Sequence, residues 1–198
     1  MMSEQWNEST LGELFEIVTG TTPSKSKVEF YGDFMPFIKP PELLDGLIEK
    51  SADGLSELGS KQARILPPDS VLVSCIGNLG KLGMNSSPVA FNQQINAIKP
   101  NYEIAIPKFV FYYCMSNHFR GQLHNLASGT TVSLVNKTKF KSIKISLPNL
   151  NEQERIVRIF DETFINIKSG KERLNHQMKL YESLEKSVLD QGFSGKLN

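Results

Sequence analysis

The residues of this sequence that could do chemistry are lysines, amides and hydroxyls around glycine-bearing loops. They suit holding a polyanion better than breaking bonds. The one glycine-rich loop is Gly77-Asn78-Leu79-Gly80-Lys81-Leu82-Gly83. A phosphate-binding P-loop would need glycine where Cys75 stands and Ser or Thr where Leu82 stands, and the loop also lacks GxGxxG order. Its plain reading is a turn after a strand, where glycine permits a tight bend. Cys75 and Cys114 lie far apart, and His118, His124 and His176 have no ligand-like spacing, so no metal is expected. Cys75 sits in an apolar run, where a thiol is packed rather than reactive. Lys39-Pro40-Pro41-Glu42 lacks both ends of the Asn/Asp-Pro-Pro-aromatic methyltransferase motif, and no Glu-x-Lys or Asp-x-Lys nuclease pair occurs. No catalytic residue is assigned, and a binding protein is expected over an enzyme.

The charge pattern says what could be bound. The 198 residues carry 22 Lys/Arg and 21 Asp/Glu, a net +1 that by itself argues against a polyanion partner. The distribution is uneven. Residues 1–57 hold 4 basic and 11 acidic side chains, residues 58–151 hold 10 and 2, and residues 152–198 hold 8 of each. From Ile104 to Asn151 there is no acid at all. Such a stretch is either a solvated face or a surface facing phosphates, which repel carboxylates and attract Lys and Arg.

The elements that must position these groups divide the chain in two. Residues 1–148 read as one mixed α/β domain. Thr10-Leu11-Gly12-Glu13 fits a capping box that starts a short helix at residue 11. Thr19 to Ser24 is a loop, and residues 31–60 read as irregular with short strands. Val71–Ile76 reads as a buried strand, Phe91 to Ala97 as a second with one buried face, and Ile143 to Leu147 as a third. Pro107 suits the first turn of a helix that runs to Met115.

Residues 149–198 form the other part. Asn151 reads as the N-cap of a helix running from 152 to about 190, ended by Gly192 and Gly195, with Ser169-Gly170 its weak point. A 4-3-4-3 spacing runs through Ile156, Phe160, Ile167, Leu174, Tyr181, Leu184 and Val188. That is a coiled-coil seam, and a helix of that length needs a second helix which this chain does not offer. A symmetric homodimer is the default way to supply one. No run of 18 apolar residues occurs, the first residues lack a signal-peptide plan, and two cysteines suit a reducing cytoplasm.

Several segments taken in order resemble a known family. They are Gly20-Thr21-Thr22-Pro23-Ser24, Val71-Leu72-Val73-Ser74 through Gly77-Asn78-Leu79-Gly80, Asn92-Gln93-Gln94-Ile95 and Ser128-Gly129-Thr130-Thr131-Val132. Ile145 to Pro148 with Glu152-Gln153-Glu154-Arg155-Ile156-Val157, and the ending Leu189 to Leu197, complete the set. Together they resemble the specificity (S) subunit of type I restriction–modification enzymes. The resemblance implies a non-catalytic subunit whose target-recognition domain reads one half of a bipartite double-stranded DNA site. It implies a conserved helix that sets the distance between halves and docks methyltransferase (modification) subunits. S-adenosylmethionine, Mg and ATP would belong to those and to the restriction/translocase subunits, with no cofactor on this chain. The family has two recognition domains and two helices where this sequence has one of each. The resemblance therefore implies a half-size form that pairs antiparallel through residues 152–190, or a fragment of a longer subunit. A coiled-coil scaffold that binds protein, not DNA, is the competing reading.

The resemblance does not say which residues touch DNA, so they are chosen by chemistry. Phosphates attract Lys and hydroxyls, and base edges suit Asn, Gln and Lys. Loop positions in the basic middle are the candidates: Asn78, Lys81, Asn92, Gln93, Thr130, Thr131, Lys137 and Lys139. Lys25 and Lys27 beside the Thr-Pro-Ser loop join them. Asn92 and Gln93 have a second reading as strand-tying residues.

Overall fold

The structure is a computed structural model that describes residues 6–129 and 131–195. The chain falls into two compact units, one through Glu154 and one from Arg155 onward. Strands and helices are numbered along the chain.

The first unit is built on two sheets. A five-stranded sheet has the order β2 (Ile17–Thr19), β10 (Ile95–Ile98), β7 (Val71–Ser74), β8 (Leu82–Asn85) and β4 (Gly46–Ile48). Its neighbours are antiparallel except β4 and β8. A four-stranded sheet has the order β5 (Asp53–Leu55), β3 (Tyr31–Ile38), β9 (Val89–Phe91) and β6 (Ile65–Leu66). β1 (Asn7–Thr10) pairs antiparallel with β11 (Lys144–Leu147). One buried cluster takes Leu72, Ile95 and Ala97 from the larger sheet and Ile38, Leu66, Val89 and Phe91 from the smaller one, so part of the core lies between them. β7, β9 and β10 are buried on both faces, which is why Val71-Leu72-Val73 is continuously apolar.

Helices close the unit. α1 (Leu11–Leu14) is a single turn whose Glu13 carboxylate accepts from the Thr10 backbone N–H at 2.8 Å and from the Ser9 hydroxyl at 2.6 Å. These donors hold the Glu13 pKa below its ordinary value. α2 (Glu57–Ser60) is one turn capped by Ser56. α3 (Pro107–Met115) begins at proline as its sequence suggests. α4 (Asn117–Asn125) and α5 (Lys137–Lys141) follow, and edge-to-face contacts of Phe119 with Tyr113 and Phe140 join all three.

Several expectations are corrected. The segment from Phe91 to Ala97 is not one strand with one buried face. It breaks at Asn92, and β9 and β10 enter different sheets with both faces covered. The alternation of polar residues there comes from a turn. Residues 31–60 contain the eight-residue β3, which carries Pro36 and shifts register against β5 between Tyr31 and Met35. Lys137 and Lys139 lie on α5, not in a loop, because the Asn136 side chain accepts from the Lys139 N–H at 2.9 Å and starts a helix.

The long helix α6 runs Leu150–Phe193, one uninterrupted element of 44 residues. At ~1.5 Å per residue it is about 66 Å long. Its cap is Asn149 and not Asn151: Asn149 Oδ1 accepts from the Glu152 N–H at 2.9 Å. The helix passes through Gly170 without a break and through Gly192, and Gly195 takes a left-handed φ of 70° beyond its end.

The first turn of α6 belongs to the first unit and is fixed by one buried side chain. Gln153 is fully buried. Its Oε1 accepts from the Ile106 N–H at 2.9 Å, and its Nε2 donates to the Ile104 and Pro148 carbonyls at 3.0 and 2.9 Å. One amide thus satisfies a donor and two acceptors of the backbone. Gln153→Ala leaves them unpaired and is expected to cost about 2–4 kcal/mol in urea unfolding. Gln153→Glu, which loses both donors, should fail to restore it.

Candidate nucleic-acid interface

Strand register gathers the motif loops at one rim. β2, β10 and β7 lie side by side, with Thr19 opposite Asn96 and Ser74 opposite Ile95. The ends of β2 and β7 and the start of β10 therefore coincide. β8 pairs Leu82 with Val73, so its start lies there too. The connections at this rim include the loop after Thr19, the turn after Ser74, the turn before Ile95, the segment that docks on Cys75–Gly77 through Ser133 and Val135, and the segment into β4, whose Asp45 N–H donates to the Leu82 carbonyl at 2.8 Å.

Each connection is held by local chemistry. After Ser74, Gly77 and Gly80 adopt φ of 78° and 80°, a left-handed backbone that favours glycine. The Ser74 hydroxyl donates to the Asn78 carbonyl and accepts from the Lys81 N–H at 3.0 Å, closing the turn. Before Ile95, Asn92 Oδ1 accepts from the Gln94 N–H at 3.1 Å, and Asn92 Nδ2 donates to Gln94 Oε1 at 2.9 Å. After Thr19, the Gly20 and Thr21 N–H groups donate to the Ile95 and Phe91 carbonyls at 3.2 and 3.0 Å. The Thr22 hydroxyl donates to Gln93 Oε1, which joins two of the motif segments directly. The 128–135 segment closes through a pair of bonds between Ser128 and Leu134. It docks by Gly77 N–H to the Ser133 carbonyl at 2.9 Å and Val135 N–H to the Cys75 carbonyl at 2.9 Å.

The sequence candidates fall into this frame unevenly. Asn78, Gln93 and Thr131 are exposed and Lys81 is half-exposed on the rim loops. Lys25 and Lys27 are exposed on the continuation of the Thr19 loop, where Lys27 Nζ sits 5.1 Å from the centre of the Phe30 ring. Lys137 is exposed and Lys139 half-exposed on α5, which starts directly after the docked Val135. Asn92 is buried, with both ends of its amide engaged inside its turn. Thr130 lies outside the described residues.

The ion pairs of the unit leave the rim lysines out. Lys99, at the opposite end of β10, pairs with Glu16 at 2.5 Å, and Lys144 pairs with Glu8 at 2.8 Å. Lys39 pairs with Asp53, and Lys61 with Glu57. Arg120 on α4 holds Asp45 at 2.9 Å. Among the described residues Lys25, Lys27, Lys81, Lys137 and Lys139 have no carboxylate partner. Acids of the first third thus neutralise several basic residues, Arg120 beside the start of β8 included, whereas the lysines of the rim loops and α5, and Lys50 just past β4, have no carboxylate partner among the described residues.

Arg64 was not evident as a rim residue from the sequence. Its N–H donates to Thr21 Oγ1 at 3.0 Å and its Nη1 donates to the Thr19 carbonyl. No local motif marks it, because its place depends on pairing between distant segments. The cysteines take no part in surface chemistry. Burial pushes the Cys75 thiol up to about 12 and raises that of Cys114 as well. No cluster of three or more His, Cys, Asp or Glu is placed to hold a metal among the described residues.

In the second unit, the seam side chains Phe160, Ile167, Leu174, Tyr181, Leu184 and Val188 are all exposed in the single chain, and Ile156 is half-buried. No helix of the described residues is long and apolar enough to cross a membrane.

Known proteins are similar to this chain in sequence and in fold. The type I restriction modification DNA specificity domain family matches residues 3–178. The HindI specificity subunit of Haemophilus influenzae is 37% identical over 81% of this chain and 37% of its own length. The EcoR124I/EcoR124II specificity subunit of Escherichia coli is 28% identical over 93% of this chain and 47% of its own. The chain thus spans less than half the length of these curated relatives. Among solved structures, the HsdS subunit of Thermoanaerobacter tengcongensis superposes with TM-score 0.72 and 22% identity, covering all of this chain and 46% of that one. A chain of a type I R-M system, solved to explain its assembly and conformational transition, gives TM-score 0.77 at 21% identity, over 97% of this chain and 46% of that one. With the rim motifs, the two sheets and the long helix all accounted for, the chain belongs to the family of type I restriction–modification DNA specificity domains.

Proposed function

We propose that this chain is a DNA-recognition subunit of a type I restriction–modification system, with no catalytic activity of its own. Its rim loops and α5 face double-stranded DNA and read one half of a bipartite target. The observation that carries this reading is the set of unpaired lysines gathered on those segments, while Lys99 at the far end of β10 is neutralised by Glu16. Phosphate contact needs cations free to exchange counterions. The apolar face of α6 pairs antiparallel with a second copy, which supplies the missing helix and the second half-site. A rod of ~66 Å sets the two half-sites roughly one to two turns of DNA apart, at ~34–36 Å per turn. Methyltransferase subunits dock on the assembly and bring S-adenosylmethionine, and restriction/translocase subunits bring ATP and Mg.

Lys81→Ala and Lys137→Ala test the surface. Each is expected to weaken DNA binding by the full chain and to lower the slope of log affinity against log salt by about 1. Unchanged slopes for both would remove the rim from the interface. No DNA binding by the wild type at any salt would favour a protein-binding scaffold.

A further inference from the structure

We propose that Arg64 reads a guanine in each half-site, presenting a fixed two-donor edge to O6 and N7; the proposal rests on the rim being the DNA-facing surface. Arg64 lies between α2 and β6, the edge strand of the smaller sheet, yet it is bonded to the loop leaving the larger one. Its backbone N–H is spent on Thr21 Oγ1 and one terminal nitrogen on the Thr19 carbonyl, so the residue is tied at its main chain and at its tip. The side chain is nonetheless exposed. Nε and Nη2 have no partner among the described residues, and no described carboxylate pairs with the guanidinium.

This differs from the state of the rim lysines. A lysine is a mobile point charge, suited to a phosphate wherever the phosphate lies. The Arg64 plane is held at one end, and its open side carries two parallel N–H groups. That spacing matches the acceptor pair on the major-groove edge of guanine, the commonest specific arginine contact. Phosphate also offers two acceptor oxygens, so donor geometry alone does not choose between them. Orientation does. Spending a donor on a backbone carbonyl fixes direction, which matters for reading a base edge and little for a phosphate that nearby lysines can hold. Gln93 is oriented in the same way by the Thr22 hydroxyl, so this loop presents two pre-set polar groups.

The test is selection from a random-sequence duplex library by the full chain with its methyltransferase subunit. Wild type, Arg64→Ala and Arg64→Lys are compared, with Lys137→Ala as the control for the surface. Arg64→Ala is expected to lower affinity for the wild-type site about 10–100-fold and to lose a guanine at one position of each half-site. Arg64→Lys should keep the charge without restoring that guanine, and Lys137→Ala should weaken binding to all sequences alike. A retained motif with a shallower salt slope would make Arg64 a phosphate contact and overturn the proposal. A retained motif with only a lower melting temperature would leave it a loop clamp and overturn it too. If Lys137→Ala and both Arg64 variants bind like wild type, the rim reading fails, and the Arg64 proposal with it.

Discussion

Leu174→Asp/Leu184→Asp is expected to turn a dimer into a monomer in sedimentation, with the first unit still folded. The two leucines lie in the middle of an apolar stripe that winds along α6 with coiled-coil spacing, and both are exposed in the single chain. Six of the seven seam side chains are exposed, and leaving them in water forgoes the gain of burial. Burying a Leu-sized group contributes about 1.5–3 kcal/mol. Placing carboxylates there instead leaves buried, unpaired charges on both helices of the pair. In the proposed antiparallel dimer, two-fold symmetry would double each substitution, so four charges would enter one interface. The dissociation constant should rise by at least about 1,000-fold, since each 1.4 kcal/mol is tenfold. The helix itself is not the target. Asp at these positions loses only a few tenths of a kcal/mol in helix propensity, so circular dichroism should change little. The variant should also lose selection for paired half-sites. A wild type that sediments as a monomer at every concentration would refute the dimer.

Gly20→Ala is expected to have a large effect for so small a substitution. Gly20 lies where the Thr19 loop crosses the Asn92 turn. A Cβ there would stand 2.1 Å from the Asn92 carbonyl oxygen and 2.4 Å from that of Phe91. Both obstacles are backbone, so no side chain can swing aside. Moving the loop breaks the Gly20–Ile95 and Thr21–Phe91 hydrogen bonds and draws Thr22 away from Gln93. The expected cost is about 2–4 kcal/mol, from overpacking and the broken bonds. At this chain length that lowers the melting temperature by roughly 5–15 °C. DNA binding should fall with it, because the rim loses the loop that orients Arg64 and Gln93. Gly121→Ala is the control. It sits in α4 with open space where a Cβ would go, and alanine should stabilise that helix by about 0.5–1 kcal/mol. Equal melting temperatures for wild type and Gly20→Ala would show that the loop does not pack as described.

What could be read from the sequence was what short-range rules determine. The apolar run at Val71, the proline at the start of α3, the alternation through β11 and the heptad spacing of α6 each announce one element. The errors lie where two short-range signals compete. Asn149 and Asn151 can both cap a helix, and the choice went to Asn149 because that register places Gln153 where its amide meets three backbone groups. Phe91 to Ala97 alternates like a strand with one wet face, yet the Asn92 amide folds it into a turn between two sheets. The rim was legible only in part. Its loops could be listed from their motifs, but their convergence follows from strand order and register. Arg64, joined to Thr19 and Thr21 across more than forty positions, had no local mark at all. The segregation of charge was visible as an acidic start and a basic middle. Which lysines remain unpaired depends on contacts such as Lys99 with Glu16, formed 83 positions apart.

The central claim is that two copies of this chain read a two-fold DNA target. The most direct measurement is selection of random-sequence duplex DNA by the full chain with its methyltransferase subunit, followed by sequencing. The expected result is a split palindrome, with two identical inverted half-sites and a fixed number of unspecified bases between them. Enrichment of an asymmetric or continuous sequence, or no enrichment at any salt, would contradict it.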